Sequence, residues 1–279
     1  DKTTWEYTTS LVGNQFVWIP CTVDEYHKTD WGSQYFVYGK EYDKSGPSQD
    51  EIDKIKKYNG FYVGRYEAGL ADGITEYTEN QALTCSIYDV AGTPKSKAGE
   101  LPWIFISQTN SKENAEKMYK NNAYVTSGLI TGIQWDVMLN RFIGTTNQNG
   151  LAFTENDIKN SRKWANYYTS NLTYTGRSAI ISGDYISTWG TKQINSSKEE
   201  KTYIEYTTGA SKDTEAYHTY DVAGNVYEMT EEVGQDTSCS ISRGGGCISW
   251  DDRPACVRNN SSNSLNRFDK GFRVVLYIK

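Results

Sequence analysis

The stretch DVAGNVYEMTEE, residues 221–232, combines a Gly-Asn turn, the aliphatics Val222 and Val226, an aromatic and four carboxylates, with no histidine and no cysteine. A tight turn of this kind suits glycine, which accepts backbone angles that other residues resist, and asparagine tolerates them better than most. Three readings are open: a catalytic site, a metal site, or a turn that serves the fold alone. The surroundings decide among them.

The chain has 279 residues, enough to bury a large core, as one large domain or two small ones. Its 37% hydrophobic and 23% charged residues are ordinary for a globular protein, but 22 Tyr and 8 Trp are not. Both side chains have apolar bodies and polar tips, which suits half-buried sheet faces and binding surfaces alike. The net charge is −6 and the basic residues are scattered, which argues against a nucleic-acid partner. No window of about eighteen apolar residues is present to span a membrane. The opening DKTTWEY has neither an initiator Met nor a signal peptide, so the chain reads as an ectodomain whose targeting segment has been removed.

The five cysteines, Cys21, Cys85, Cys239, Cys247 and Cys256, include no Cys-x-x-Cys, and the histidines are His27 and His218 alone. That is neither a zinc site nor a dense disulfide framework. Cys239 and Cys247 stand at the spacing of a pair across a hairpin, and the odd count leaves at least one free thiol. The others read as small buried hydrophobes.

Along the chain, NQFVWIP (14–20) is aromatic and β-branched and closes on proline, a strand. Residues 34–51 turn polar and read as a loop or arm. NGFYVGRYEAGL (59–70) is a second strand. Three helices follow: one from Asn110 with Glu113 as a capping partner, one from Thr131 with Gln134, and a more polar one over 154–168. In the second, Ile133, Val137, Trp135 and Leu139 form the apolar face. From residue 170 periodicity fades and Gly, Ser, Thr and Asn abound, the composition of functional or metal-ordered loops. KGFRVVLYIK (270–279) is a closing strand. No repeat or low-complexity linker divides the sequence, so 1–279 reads as one domain.

Taken in order, FVWIP, GFYVGRYEA, TGIQWDVML, DVAGNVYEMTEE, SRGGG, ACVRNN and GFRVV resemble successive landmarks of the formylglycine-generating enzyme superfamily. The likeness spans nearly the whole chain, and GNVYE, RGG and GFR in this order and spacing carry most of it. It implies an irregular α+β fold of the C-type-lectin-like kind, with adjacent N- and C-terminal strands. It also implies calcium in the loop equivalent to DVAGNVYE, held by the carboxylates of Asp221 and Glu228 and the carbonyls of Gly224 and Val226. Calcium wants several hard oxygens, and a tight turn can aim carbonyls inward. The plain alternative is that Asp221 and Glu228 cap a turn or pair with arginine.

The family's catalytic members bind copper through two cysteines after the Gly-Gly motif. Aligning RGGGCISWDDRPACVR from Arg243 puts Ser249 at the first position and Pro254 near the second. Cys247 falls two residues early, and Cys256 matches a cysteine outside the catalytic pair. Soft thiolates hold Cu(I), and Ser and Pro do not replace them. The related iron-dependent sulfoxide synthases need a histidine cluster that two distant histidines do not supply. The resemblance therefore points away from an enzyme. Arg243 and Arg273 read as buried ion-pair residues, with Arg65 and Glu67 as scaffold.

Between SRGGG and GFRVV lies CISWDDRPACVRNNSSNSLNRFDK, and here the chain is similar to another branch, the variable proteins of diversity-generating retroelements. In those, a reverse transcriptase mutates adenines and Asn codons are preferred targets, as in the run Asn259, Asn260, Asn263 and Asn266. Small polar residues punctuated by Trp, Phe and Arg also resemble an antibody paratope, where rigid aromatics anchor and short side chains adapt. The expected ligand-facing segment is 239–279. Its candidate contacts are Trp250, Asp251, Asp252 and Arg253, then Asn259, Asn260, Ser262, Asn263 and Asn266, and finally Arg267 and Phe268. The expectation is a non-enzymatic binder of a protein or glycan on another cell surface, displayed outside the cell or on a phage, with structural calcium. A membrane would be met only through a removed N-terminal segment. The alternatives are a metal-dependent oxidase or sulfoxide-synthase relative, and a structural surface or pilus component.

Overall fold

The protein's computed structural model describes residues 13–38, 42–71, 92–182, 185–186, 189–190, 194–234, 238–250, 252–264 and 267–279. Strand β1 (Phe16–Pro20) buries Val17 and Ile19 and ends at the expected proline. A two-residue strand, β2 (Phe36–Val37), follows. Helix α1 (Gln49–Tyr58) then occupies part of the segment expected to be a loop. Its start is written in SQDE: the Ser48 side chain accepts from the Glu51 backbone N–H, and Glu51 reaches back to the Ser48 N–H at 2.9 Å. β3 (Gly60–Gly64) comes directly after and buries Phe61 and Val63.

Helix α2 (Gln108–Lys117) begins earlier than the Asn110–Glu113 pairing suggests. Ser107 is the N-cap, with its Oγ accepting from the Asn110 N–H at 3.3 Å, so Asn110 lies inside the first turn. β4 (Val125–Leu129) leads into α3 (Gly132–Phe142), which is capped as expected by Thr131 and Gln134. Ile133, Trp135, Val137 and Leu139 are all buried, but so are Gln134, Asp136 and Met138, so α3 is enclosed all round and not amphipathic. The third expected helix shrinks to α4 (Glu155–Lys159) and a 3-10 turn over Ser161–Lys163. The Trp164 Nε1–H takes the Asp157 carbonyl at 2.9 Å, and the Ser161 hydroxyl takes the same carbonyl at 3.2 Å, so side chains capture an acceptor a longer helix would use.

The stretch that lacks periodicity folds as short strands. β5 (Leu172–Gly176) pairs with β8 (Ile194–Lys198), and β6 (Ser178–Ser182) pairs with β7 (Tyr185–Ile186) and β9 (Ile204–Tyr206). β10 (Glu215–Ala216) and β11 (Thr219–Tyr220) make a small ribbon. The last stretch supplies β12 (Tyr227–Val233), β13 (Cys239–Arg243), β14 (Arg258–Ser262), β15 (Lys270–Phe272) and β16 (Val274–Ile278).

Two larger sheets organise these parts into a mixed α+β architecture. One is antiparallel in the order β1-β3-β16-β4, and the other runs β15-β12-β13-β14-β2, with β12–β15 and β14–β2 parallel. The first and last strands share a sheet but are not neighbours, because β3 lies between them. The closing stretch is two strands, one in each sheet, hinged at Arg273. Its buried guanidinium donates to both Glu228 oxygens, to the Gly64 carbonyl at 2.9 Å and to the Tyr220 carbonyl at 2.8 Å. One side chain thus ties β3, β12 and the β15–β16 break together. Burial works against its charge, but the Glu228 carboxylate outweighs that and holds the guanidinium protonated.

A second arginine assembly sets the far end of β12–β14. Arg243 donates to Glu232 Oε2 at 3.1 Å and Asp136 Oδ1 at 2.7 Å. Arg258 donates to Glu232 Oε1 at 2.9 Å and to Asp136 Oδ2. The four side chains are shut off from solvent and their formal charges cancel. Burial pushes the Asp136 carboxyl up, yet the two guanidiniums overcome it and hold it below the usual carboxylate range. Among the described residues, no helix is long and apolar enough to cross a membrane.

Candidate functional site

The ion-pair square fixes where β13 ends and β14 begins, and the chain between them is free to form a surface. Gly245, at φ +71, lets it turn there; a Cβ would lie 2.4 Å from the Arg253 carbonyl. The loop folds back on that glycine and faces the turn before β15. Between them is a recess of about 500 Å³.

Three pieces of the C-terminal segment line it. The loop gives Ser249, Trp250, Asp252 and Arg253; β14 gives Asn259, Asn260, Ser261 and Ser262; the turn into β15 gives Arg267, Asp269 and Lys270. Tyr227 of β12 and Tyr38, just after β2, complete the wall. Tyr38 is 82% exposed and Trp250 56%, which makes them the rim. Asn259, Asp269, Lys270, Tyr227 and Ser249 are buried, which makes them the floor.

The floor is hydrogen-bonded in a chain. Lys270 Nζ donates to the Ser242 hydroxyl at 2.9 Å and lies 4.0 Å from the Tyr227 ring centre. The Ser249 hydroxyl donates to Tyr227 Oη at 3.0 Å and accepts from the Gly246 N–H at 3.0 Å. Burial pulls the Lys270 amine down to about 8, with Asp269 opposing and Arg267 assisting. It pushes the Tyr227 hydroxyl up. On the walls, Arg253 pairs with Asp252, and Arg267 Nε stands 3.2 Å from Asp269 Oδ1.

Of the expected contacts, Trp250, Asp252, Arg253, Asn259, Asn260, Ser262 and Arg267 come together on this recess. Asp251 and Asn266 lie outside the described residues. Asn263 is half-buried beside it, its backbone engaged by Ser238 and Gln108. Phe268 is 2% exposed and packs in the core with Trp103 and Phe272, so it anchors the turn from beneath. Sequence reasoning missed Tyr227, Asp269, Lys270 and Tyr38. Tyr227 sits in the loop read as a calcium site, and Asp269 and Lys270 lie in the expected ligand-facing segment without being singled out as contacts. Tyr38 arrives from more than two hundred residues away through the β2–β14 pairing, which no local pattern signals.

The turn at 221–228 is a junction. Gly224, at φ +81, packs so closely on residue 166 that a Cβ would lie 2.4 Å from the Asn166 nitrogen. Its N–H donates to the Gly244 carbonyl at 2.9 Å, and the Asn225 carbonyl accepts from the Cys247 N–H at 2.8 Å. The Asn225 side chain binds the Tyr206 backbone on both sides and donates to Glu67 Oε2 at 2.8 Å. The turn therefore positions the loop that opens the recess. Glu67 is fully buried, and burial together with the Asp221 and Glu228 carboxylates holds its carboxyl well above the usual range.

The two carboxylates expected to hold calcium have other partners. Asp221 accepts from the Gly209 N–H at 2.6 Å and the Thr214 hydroxyl at 2.7 Å, and both Glu228 oxygens face Arg273. Val226 points its side chain into the core. Among the described residues, no group of three acidic, Cys or His side chains is placed to hold a metal ion. As arranged, the Asp221 and Glu228 carboxylates do not fit a calcium shell, which would have to displace a guanidinium.

Cys239 and Cys247, the pair at hairpin spacing, are both free thiols, as are Cys21 and Cys256. Cys85 lies outside the described residues. Burial pushes Cys256 up to about 12 and Cys247 well above the ordinary thiol value, so neither is poised as a thiolate. Ser249 has its place in the floor, and Pro254 is buried.

No protein-family model matches the chain, and no curated protein does. Solved structures with a similar backbone include CarF, 12% identical over 95% of this chain and 99% of that one, with a TM-score of 0.43. PvdO from Pseudomonas aeruginosa is 13% identical over 96% and 92%, with a TM-score of 0.39. Treponema denticola variable protein 1 is 14% identical over 77% and 95%, with a TM-score of 0.36. Likenesses at this level leave the site to be read from its own residues.

Proposed function

We propose that this protein is a non-enzymatic binder on a C-type-lectin-like fold of the formylglycine-generating enzyme superfamily. Its C-terminal recess takes a ligand displayed by another cell or particle, and the protein acts outside the cell or on a phage. The observation that carries this is the division of labour along 243–268. Arg243, Arg258 and Phe268 are buried as scaffold, while the side chains of Trp250, Asp252, Arg253, Asn260, Ser262 and Arg267 line the recess. Such a surface accepts substitution without loss of the fold, which is what a diversified binder of the retroelement kind requires. The buried, high-pKa thiols of Cys247 and Cys256 do not favour the oxidase alternative.

Sequencing this gene and its downstream DNA across a natural population tests the diversification. The expected result is adenine-matched variation at codons for the recess positions, with Arg243, Arg258, Phe268 and Arg273 fixed. Variation no greater there than in α3 would remove diversification and leave a binder of one fixed ligand.

A further inference from the structure

Among the described residues three cations and two carboxylates line the recess, and each carboxylate stands beside an arginine. Arg253 pairs with Asp252 and Arg267 lies beside Asp269. Lys270, the most deeply placed of the three, has no carboxylate at ion-pair distance among the described residues; its Nζ meets the Ser242 hydroxyl and the face of Tyr227. An ammonium carries three donors, and a buried charge without a counter-charge is costly. Asp269, the floor's carboxylate, stands at ion-pair distance from Arg267, so Lys270 lacks an anion of its own.

The floor also lacks a donor. Asn259 is 5% exposed, and among the described residues its Oδ1 has no hydrogen-bond partner, while its Nδ2 makes a long contact of 3.4 Å to the same Ser242 hydroxyl that Lys270 uses. The Ser261 hydroxyl, on the same recess, is likewise buried without a partner. A cationic donor and an empty acceptor thus converge on one point. A carboxylate with a hydroxyl beside it satisfies both, whereas an Asp or Glu side chain brings the carboxylate alone. Above the floor, Trp250 stands exposed with its ring 5.0 Å from Tyr168, a flat apolar surface of the kind a sugar ring covers. The recess volume of about 500 Å³ falls within the range of small-ligand sites.

We propose that the recess binds a carboxylated saccharide, with the carboxylate on Lys270, a ring hydroxyl on Asn259 and the sugar face on Trp250. This rests on the recess being the ligand site.

Calorimetric titration of the full chain with methyl glucuronoside, its neutral twin methyl glucoside, and acetate tests it. The glucuronoside should bind about tenfold more tightly than either, the scale of one charge-assisted hydrogen bond. The Lys270 amine titrates near 8, with Asp269 and Arg267 beside it and Tyr227 the titratable group facing it from β12. Affinity for the glucuronoside should accordingly fall about tenfold in all as pH rises through that value, levelling off at the affinity of the glucoside, which stays flat. Lys270→Met should erase the preference for the acid; if that variant does not fold, the neutral twin and the pH series on the unaltered chain decide. Equal binding of the two glycosides, a flat pH profile, or no heat with the glucuronoside overturns the inference. If Trp250→Ala still abolishes binding of some other ligand, the ligand class alone was wrong; if no ligand depends on Trp250 or Arg253, the recess is not the binding site.

Discussion

Glu232→Gln should be among the most damaging single changes in the chain, although it is nearly isosteric. Glu232 supplies one of two carboxylates in the square that joins β12, β13, β14 and α3. Its Oε2 accepts from Arg243 at 3.1 Å and its Oε1 from Arg258 at 2.9 Å, with all four partners sealed from solvent. Neutralising it leaves a net positive charge in the interior and turns an amide N–H toward a guanidinium. Breaking a buried pair from one side costs about 3–5 kcal/mol, mostly as the penalty on the charge left behind. Removing Arg258 as well restores neutrality, so Glu232→Gln with Arg258→Met should recover about 2 kcal/mol of the summed single-mutant losses. Urea unfolding of the four proteins of this cycle, followed by tryptophan fluorescence, reads the coupling, because Trp31 donates to Asp136 at 2.9 Å and Trp135 lies under Arg243. A loss below about 1 kcal/mol for Glu232→Gln, or additive losses in the double variant, would show that the square does not hold the strands as argued.

Glu205 is fully buried with neither oxygen partnered, and burial, aided by Asp269, raises its carboxyl well above 4.5. Its charge is therefore tolerated better in the unfolded chain, so stability should fall as pH climbs past that ordinary value until the folded value is reached. Glu205→Gln should flatten the decline between pH 4.5 and 7, and urea midpoints that keep the same slope would refute this. Gly144→Ala, at φ +85 with open space around it, should cost about 1 kcal/mol from backbone alone. Gly224→Ala, at φ +81 and against Asn166, should cost about 3 kcal/mol because overlap is added, and equal losses would refute the packing argument. Millimolar calcium should move Tm by less than about 1 °C, since the oxygens of Asp221 and Glu228 already have donors, and a rise of several degrees would restore an ion to that turn.

The parts legible in the sequence are those whose physics is local or strongly patterned. The cap at Thr131 and the strand ending at Pro20 follow from side-chain chemistry that needs no distant partner, whereas the burial of Arg243 and Arg273 rests on carboxylates from distant elements and is legible only through the motifs RGG and GFR. The SQDE signal of α1 was equally local and was outweighed by the polar run before it. The shortened helix at 154–168 was not legible, because Ser161 and Trp164 claim carbonyls that propensity assigns to the helix. The site shows the same division. Trp250, Arg253 and Asn260 declare themselves as an exposed polar-aromatic run, but Lys270 looks like strand scaffold until Tyr227 and Ser242 are placed around it. The carboxylates of 221–232 look like ion ligands until their partners, Arg273 and Arg243, arrive from distant strands.

Binding of the wild-type chain, Trp250→Ala and Arg253→Ala to one broad glycan and protein array tests the central claim most directly. The wild type should bind a defined set, and both variants should lose it while their unfolding free energies stay within about 0.5 kcal/mol of wild type, as expected for side chains at the rim and wall of the recess. Identical array profiles for all three proteins would contradict the assignment of the recess as the ligand site.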